Sequence, residues 1–229
     1  FEDFNNIAEY VPKVEFCKPY FEKFSSCIYF DLLKPTELLA HKLHISLGLE
    51  ISEIKKALSN FVATMTKNGF IDHGFFSAII ILRWYGFLIQ RCKYKSEYFF
   101  WPVVDSASAI LLHNFYRNVI MKPPFSKGKL SSKSHPIAWL LILCDELQEW
   151  NREAYGIADK KRIQVGKVSL SIDMNRIKTV YLTNKLELPQ QFASEKESLL
   201  QNVLEIDAIF PDSINIRCQV EQDLALPNI

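Results

Sequence analysis

The run Ser134-His135-Pro136-Ile137-Ala138-Trp139-Leu140-Leu141-Ile142-Leu143-Cys144-Asp145-Glu146-Leu147-Gln148-Glu149-Trp150 sets the architecture to expect. Pro136 suits the first turn of a helix, where the missing N–H is no loss, and the apolar residues after it cover the whole circumference rather than one stripe. A helix that is apolar all round belongs in a core, so a mainly helical domain is expected around this element. Asp145 stands at the end of the apolar run, and a carboxylate on a buried helix must be paired, neutralised or bound to a metal. It is therefore the first functional candidate. The spacing also allows a plainer reading, in which Asp145, Gln148, Glu149 and Arg152 form the solvated face where the helix leaves the core.

Composition bounds the answer. With 229 residues, 48% of them apolar and 13% aromatic, the chain can bury a substantial core. Lys and Arg number 27 against 26 Asp and Glu, so charge gives neither a nucleic-acid footprint nor a membrane-surface bias, while a nucleotide or other small ligand stays open. Cys17, Cys27, Cys92, Cys144 and Cys218 form no CxxC pair and read as reduced core thiols of a cytoplasmic protein. The most apolar stretch, Phe75–Ile89, is interrupted by Arg83 and is shorter than the roughly 20 residues a bilayer requires, so no membrane span or signal peptide is expected.

Along the chain, aromatic Phe1–Asp31 with Pro12 and Pro19 reads as short packed helices. Thr36 is positioned to cap a helix ending at Gly48, on which His41 and His44 make an H-x-x-H pair that could share a metal, though without the carboxylate of a zinc protease. Ser52–Lys67 is amphipathic, with Ile54, Leu58, Phe61, Val62 and Met65 inward and Asn68-Gly69 as its stop. Asp72 can cap the next helix, to about Cys92, leaving His73 in its first turn and Gly74 bare beside it, so that something can approach closely. Pro102 and Asp105 open a helix over Ser106–Met121 whose apolar face carries His113, either a ligand or a core histidine bonded to a carbonyl. The Lys122–Lys133 loop offers Lys122, Lys127, Lys129 and Lys133 to a phosphate or simply to solvent.

Beyond Arg152 the character changes. Lys167–Ile172 and Ile177–Thr183 read as a hairpin around Asp173–Arg176, Ser194 as the cap of a helix to about Phe210, and Ile214–Val220 as a half-buried strand. The expected division is a helical domain over 1–155 and a small α+β appendage over 156–229.

Asp72-His73-Gly74…Ser77-Ala78, then Ala109-Ile110-Leu111-Leu112-His113-Asn114, then Pro136…Leu143-Cys144-Asp145-Glu146-Leu147-Gln148-Glu149-Trp150 together resemble, in order and helical setting, the second half of an HD domain of the metal-dependent phosphohydrolase superfamily. The resemblance implies a helical bundle in which His73, His113 and Asp145 are ligands of one or two divalent metals, with Asn114 behind them. Imidazole and carboxylate suit Mn, Fe, Co, Ni or Zn, and Mg prefers more oxygen. It also implies a small phosphorylated substrate such as a nucleotide, with Lys122, Lys127 and Lys129 as phosphate contacts. The adjacent His-Asp pair of the family and the histidine before it do not occur in this sequence. They are expected upstream of Phe1; the alternative is a decayed site on a non-catalytic sensor or interaction module, in which the C-terminal segment docks a partner. Oligomeric state is left open.

Overall fold

The computed structural model describes residues 34–92, 97–148, 167–183, 189–207, 209–210, 215–223 and 225. The described residues are mainly helical with one three-stranded sheet near the C-terminus, and the chain divides into compact units over 1–127 and 128–229. The short helices expected over Phe1–Asp31 lie outside the described residues, as do Glu149, Arg152 and the expected boundary near 155.

In the first unit, α1 (Pro35–Leu47), α2 (Ile51–Asn68), α3 (His73–Cys92) and α4 (Glu97–Phe115) are followed by a single π-helical turn, Tyr116–Ile120. Helix α2 follows its periodicity: Ile54, Leu58, Phe61, Val62 and Met65 are all buried, and Gly69 closes the helix in the left-handed conformation. Phe61 then meets Phe75 of α3 and, edge to face at 5.6 Å, Phe115 of α4, which ties three helices to one aromatic cluster. Around it Leu39, Leu43, Ile79, Leu82, Leu111 and Leu112 are fully buried.

Two boundaries differ from expectation. Helix α1 begins at Pro35, a preferred first position, and Thr36 lies inside it with a buried hydroxyl instead of capping it. Helix α4 begins at Glu97 and runs through Pro102, which takes one donor from the ladder without ending it. Burial of Val104, Ala107, Leu111 and Leu112 offsets that loss, because most helical stability in a protein comes from packing.

The second unit contains α5 (Pro136–Leu147), β1 (Lys167–Ile172), β2 (Ile177–Thr183), α6 (Pro189–Val203) and β3 (Ile216–Gln222). The hairpin matches the sequence reading, with β1 antiparallel to β2 from Lys167↔Leu182 to Ile172↔Ile177. Asp173 builds its turn: the carboxylate accepts from the Asn175 and Arg176 N–H groups, which hold its pKa below the usual range. Helix α6 then carries the chain to β3, which lies parallel to β2. That helix starts at Pro189 and ends at Val203, so Ser194 is an exposed mid-helix residue and not a cap.

Helix α5 overturns part of the reading made from its apolar run. It buries Ala138, Trp139, Ile142, Leu143 and Leu147, yet Ile137 and Leu140 are half exposed and Cys144 is an exposed thiol. One face is therefore packed and the other is open. Composition alone could not separate these faces, because apolar residues occupy both. No helix among the described residues is long and apolar enough to cross a membrane.

Candidate functional site

Among the described residues of the first unit, the start of α3 gathers a cluster of hydrogen-bonded polar side chains. Asp72 caps the helix, its Oδ1 accepting the Phe75 N–H at 2.7 Å. That cap fixes His73 at the first helical position, where its ring is exposed to solvent. Gly74 comes next, and a methyl group there would stand 2.7 Å from both the Ile110 carbonyl oxygen and the Cε1 of His113. The close approach that the glycine permits is therefore that of α4 itself. It brings His113, buried to 8% exposure, against His73 with their Nε2 atoms 2.9 Å apart.

Hydrogen bonding assigns a proton to each ring. The Ile110 carbonyl can only accept, so His113 donates through Nδ1 at 2.5 Å and presents an unprotonated Nε2. The Asn114 amide nitrogen donates to Asp72 Oδ2 at 3.1 Å and faces His73 Nδ1 at 3.4 Å. His73 Nδ1 is then an acceptor, and His73 donates its Nε2–H to His113. The chain of groups Asp72, Asn114, His73, His113 and the Ile110 carbonyl is satisfied with both imidazoles neutral. A histidine anchored through Nδ1 to a backbone carbonyl, with an unprotonated Nε2 facing outward, is also the ordinary disposition of a metal-ligating imidazole.

His73 and His113 are thus brought together, with Asn114 directly behind them as expected. Asp145 lies half-buried on α5 of the second unit, so the three candidates stand on three different helices. Among the described residues no group of three or more His, Cys, Asp or Glu side chains is arranged to hold a metal ion. The imidazole pair by itself supplies two nitrogen donors suited to a transition metal. Lys122, Lys127 and Lys129 are exposed, as is His41, while His44 directs Nδ1 to the Leu49 carbonyl at 2.7 Å. Asp72 also borders a cleft of about 830 Å³ whose walls include Lys56, Asn60, Phe70, Asn118 and Phe125. Asn118 comes from the π-helical turn, an irregularity often found at functional sites.

The buried charge expected on α5 exists one residue later than expected. Glu146, at 8% exposure, faces Lys196 of α6, whose ammonium donates to the Glu146 carbonyl at 2.8 Å and stands 3.5 Å from its carboxylate. On the same helix Glu197 accepts the Cys218 N–H at 2.7 Å. Burial, then the Glu197 charge, pushes the Cys218 thiol up to about 12. The sequence pointed to Asp145 as the buried carboxylate, but which of two adjacent residues points inward depends on a helix phase that an all-round apolar run does not define.

No protein-family model matches this chain, and no curated protein or solved structure matches it either.

Proposed function

We propose that the chain carries part of the active site of a metal-dependent phosphohydrolase of HD type, with His73 and His113 as metal ligands. The observation that carries this reading is the convergence of two imidazole Nε2 atoms, 2.9 Å apart on neighbouring helices, with a glycine making room for it. Neutral core histidines have no need to meet head to head, and the exposed edge of His73 leaves the pair open to solvent. A divalent metal held there would supply an activated water and neutralise charge on a transferring phosphoryl group.

The residues of the chain set the terms for such a metal. To ligate through Nε2, His73 must give up that proton and carry one on Nδ1, which faces Asn114. Asn114 can accept that proton only by turning its amide so that oxygen meets the ring, which gives up the bond its nitrogen now donates to Asp72 Oδ2. Asp72 holds the helix end that fixes His73, and the cleft beside Asp72 is of the size that small ligands occupy, roughly 300–1,000 Å³. A small phosphoester such as a nucleotide fits that space, with exposed Lys122 and Lys127 as phosphate contacts.

The test is calorimetric titration of the 229-residue chain with Mn²⁺, Co²⁺ and Zn²⁺, repeated for His113→Ala, His73→Ala and Asn114→Leu. Loss of binding in both histidine variants and a roughly 10–100-fold weaker affinity in Asn114→Leu are expected. Equal binding by the wild type, His73→Ala and His113→Ala would exclude the pair as ligands. The second reading is a non-catalytic helical module. Its support is that the cluster already satisfies its own hydrogen bonds as neutral groups, and absence of metal binding in the wild type selects it.

A further inference from the structure

We infer that β1 is a self-association edge, through which two copies of this chain pair antiparallel about a two-fold axis at Leu170. The inference is independent of the metal reading. Among the described residues the sheet order is β1-β2-β3, which leaves β1 at one end with a row of backbone donors and acceptors. Residues directly opposite in a ladder share a face, so Val168, Leu170 and Ile172 lie on the same side of the sheet as Tyr181, Thr179 and Ile177. The β2 members of that face are buried. The β1 members are not: Leu170 is 52% and Ile172 63% exposed, and Met174 in the adjoining turn is 90% exposed. Helix α6 packs on β3, at the opposite edge of the same sheet.

The sequence of the strand selects a second copy as the occupant. Natural edge strands are commonly blunted by inward charges, proline or bulges, and Val168-Ser169-Leu170-Ser171-Ile172 has no charge and no proline. Its pattern is also the same read in either direction. Antiparallel pairing centred on Leu170 sets Leu170 against Leu170, Val168 against Ile172 and Ser169 against Ser171, so apolar side chains meet apolar ones on one face and serines meet serines on the other. The same register sets Lys167 opposite Asp173 of the second copy, cation against carboxylate. A shift by one residue would put every apolar side chain opposite a serine or a charged residue and lose both matches. The product is a closed, isologous dimer with a six-stranded sheet and one continuous apolar face.

The 229-residue chain should elute as a dimer by size-exclusion chromatography with light scattering at tens of micromolar. Leu170→Lys and Leu170→Glu each place like charges face to face on the axis and should be monomeric, with far-UV circular dichroism unchanged because Leu170 is half exposed. Mixing the two variants should restore a dimer containing one of each. A monomeric wild type, a Leu170→Lys variant that stays dimeric, or a mixture that stays monomeric would each overturn the proposed pairing.

Discussion

His73 and His113 meet as neutral rings, one of them open to solvent, whereas Glu146 and Lys196 place full charges where their side chains are only 10% and 8% exposed. The first cluster is held by geometry: a helix cap, a glycine and a backbone carbonyl aim the two rings. The second joins a buried carboxylate to a buried ammonium, in the same unit as a Cys218 thiol that burial pushes up. Polar groups that can exchange partners cheaply suit ligand binding, and those that cannot lose a partner without heavy loss suit anchoring one element on another. By that criterion the open histidine pair is the better suited of the two to bind a ligand, and the Glu146–Lys196 pair to join α5 to α6.

Removing the cation is the most damaging way to test that contrast. Lys196→Met should destabilise the protein by about 3–5 kcal/mol in urea unfolding, because it breaks a buried pair and leaves the carboxylate in place. Adding Glu146→Leu should recover most of the loss, since apolar replacement of both partners of a buried pair is often neutral or stabilising. A Lys196→Met loss below about 1 kcal/mol would put the pair with exposed ion pairs and erase the contrast. Alanine at His73, by contrast, should change stability little and alter metal binding alone.

The next test acts on the geometry of the first cluster. In Gly74→Ala the new methyl meets backbone at Ile110 and the ring of His113, both at 2.7 Å, so α3 and α4 must separate locally. Overpacking of this kind costs about 1–3 kcal/mol, opposed by the roughly 0.8–1.0 kcal/mol by which alanine favours a helix over glycine. A lower melting temperature together with weakened metal binding is the expected pair of results. A stabilised variant with unaltered binding would show that the helices do not depend on this contact.

The sequence was most legible where period and punctuation agreed. Helix α2 declared its inward face and its stop, and the hairpin declared both strands and the Asp173 turn. The Asp72 cap, His73 and the bare Gly74 were also readable, as local signals. That Gly74 admits His113, far along the chain, was not, because it depends on how α3 packs on α4. Helix starts misled where a proline competed with a hydroxyl: Pro35 and Pro189 head their helices, and Thr36 and Ser194 lie within them. Helix α5 misled for the opposite reason, since an apolar run without a polar stripe carries no phase, and the buried carboxylate proved to be Glu146.

Cys218 gives the smallest effect at neutral pH and the sharpest probe of the second cluster. Its thiol rises from an ordinary 9.0 to about 12 in the folded protein, chiefly through burial and then through the Glu197 carboxylate. A folded-state pKa above the unfolded value means that the stabilisation is fully present below pH 9 and is lost as pH climbs toward 12, because the unfolded chain releases the proton first. Stability should therefore fall by about 1.4 kcal/mol per pH unit above pH 9 from this group alone. Comparing urea midpoints of the wild type and Cys218→Ala between pH 8 and about pH 10.5 isolates the contribution, since the substitution removes the slope due to the thiol but not that of other groups. Glu197→Gln should flatten the slope only partly, as the lesser of the two causes. Identical slopes in wild type and Cys218→Ala would show that water reaches the thiol, and the contrast with the open histidine pair would then fail at the cluster where it is steepest.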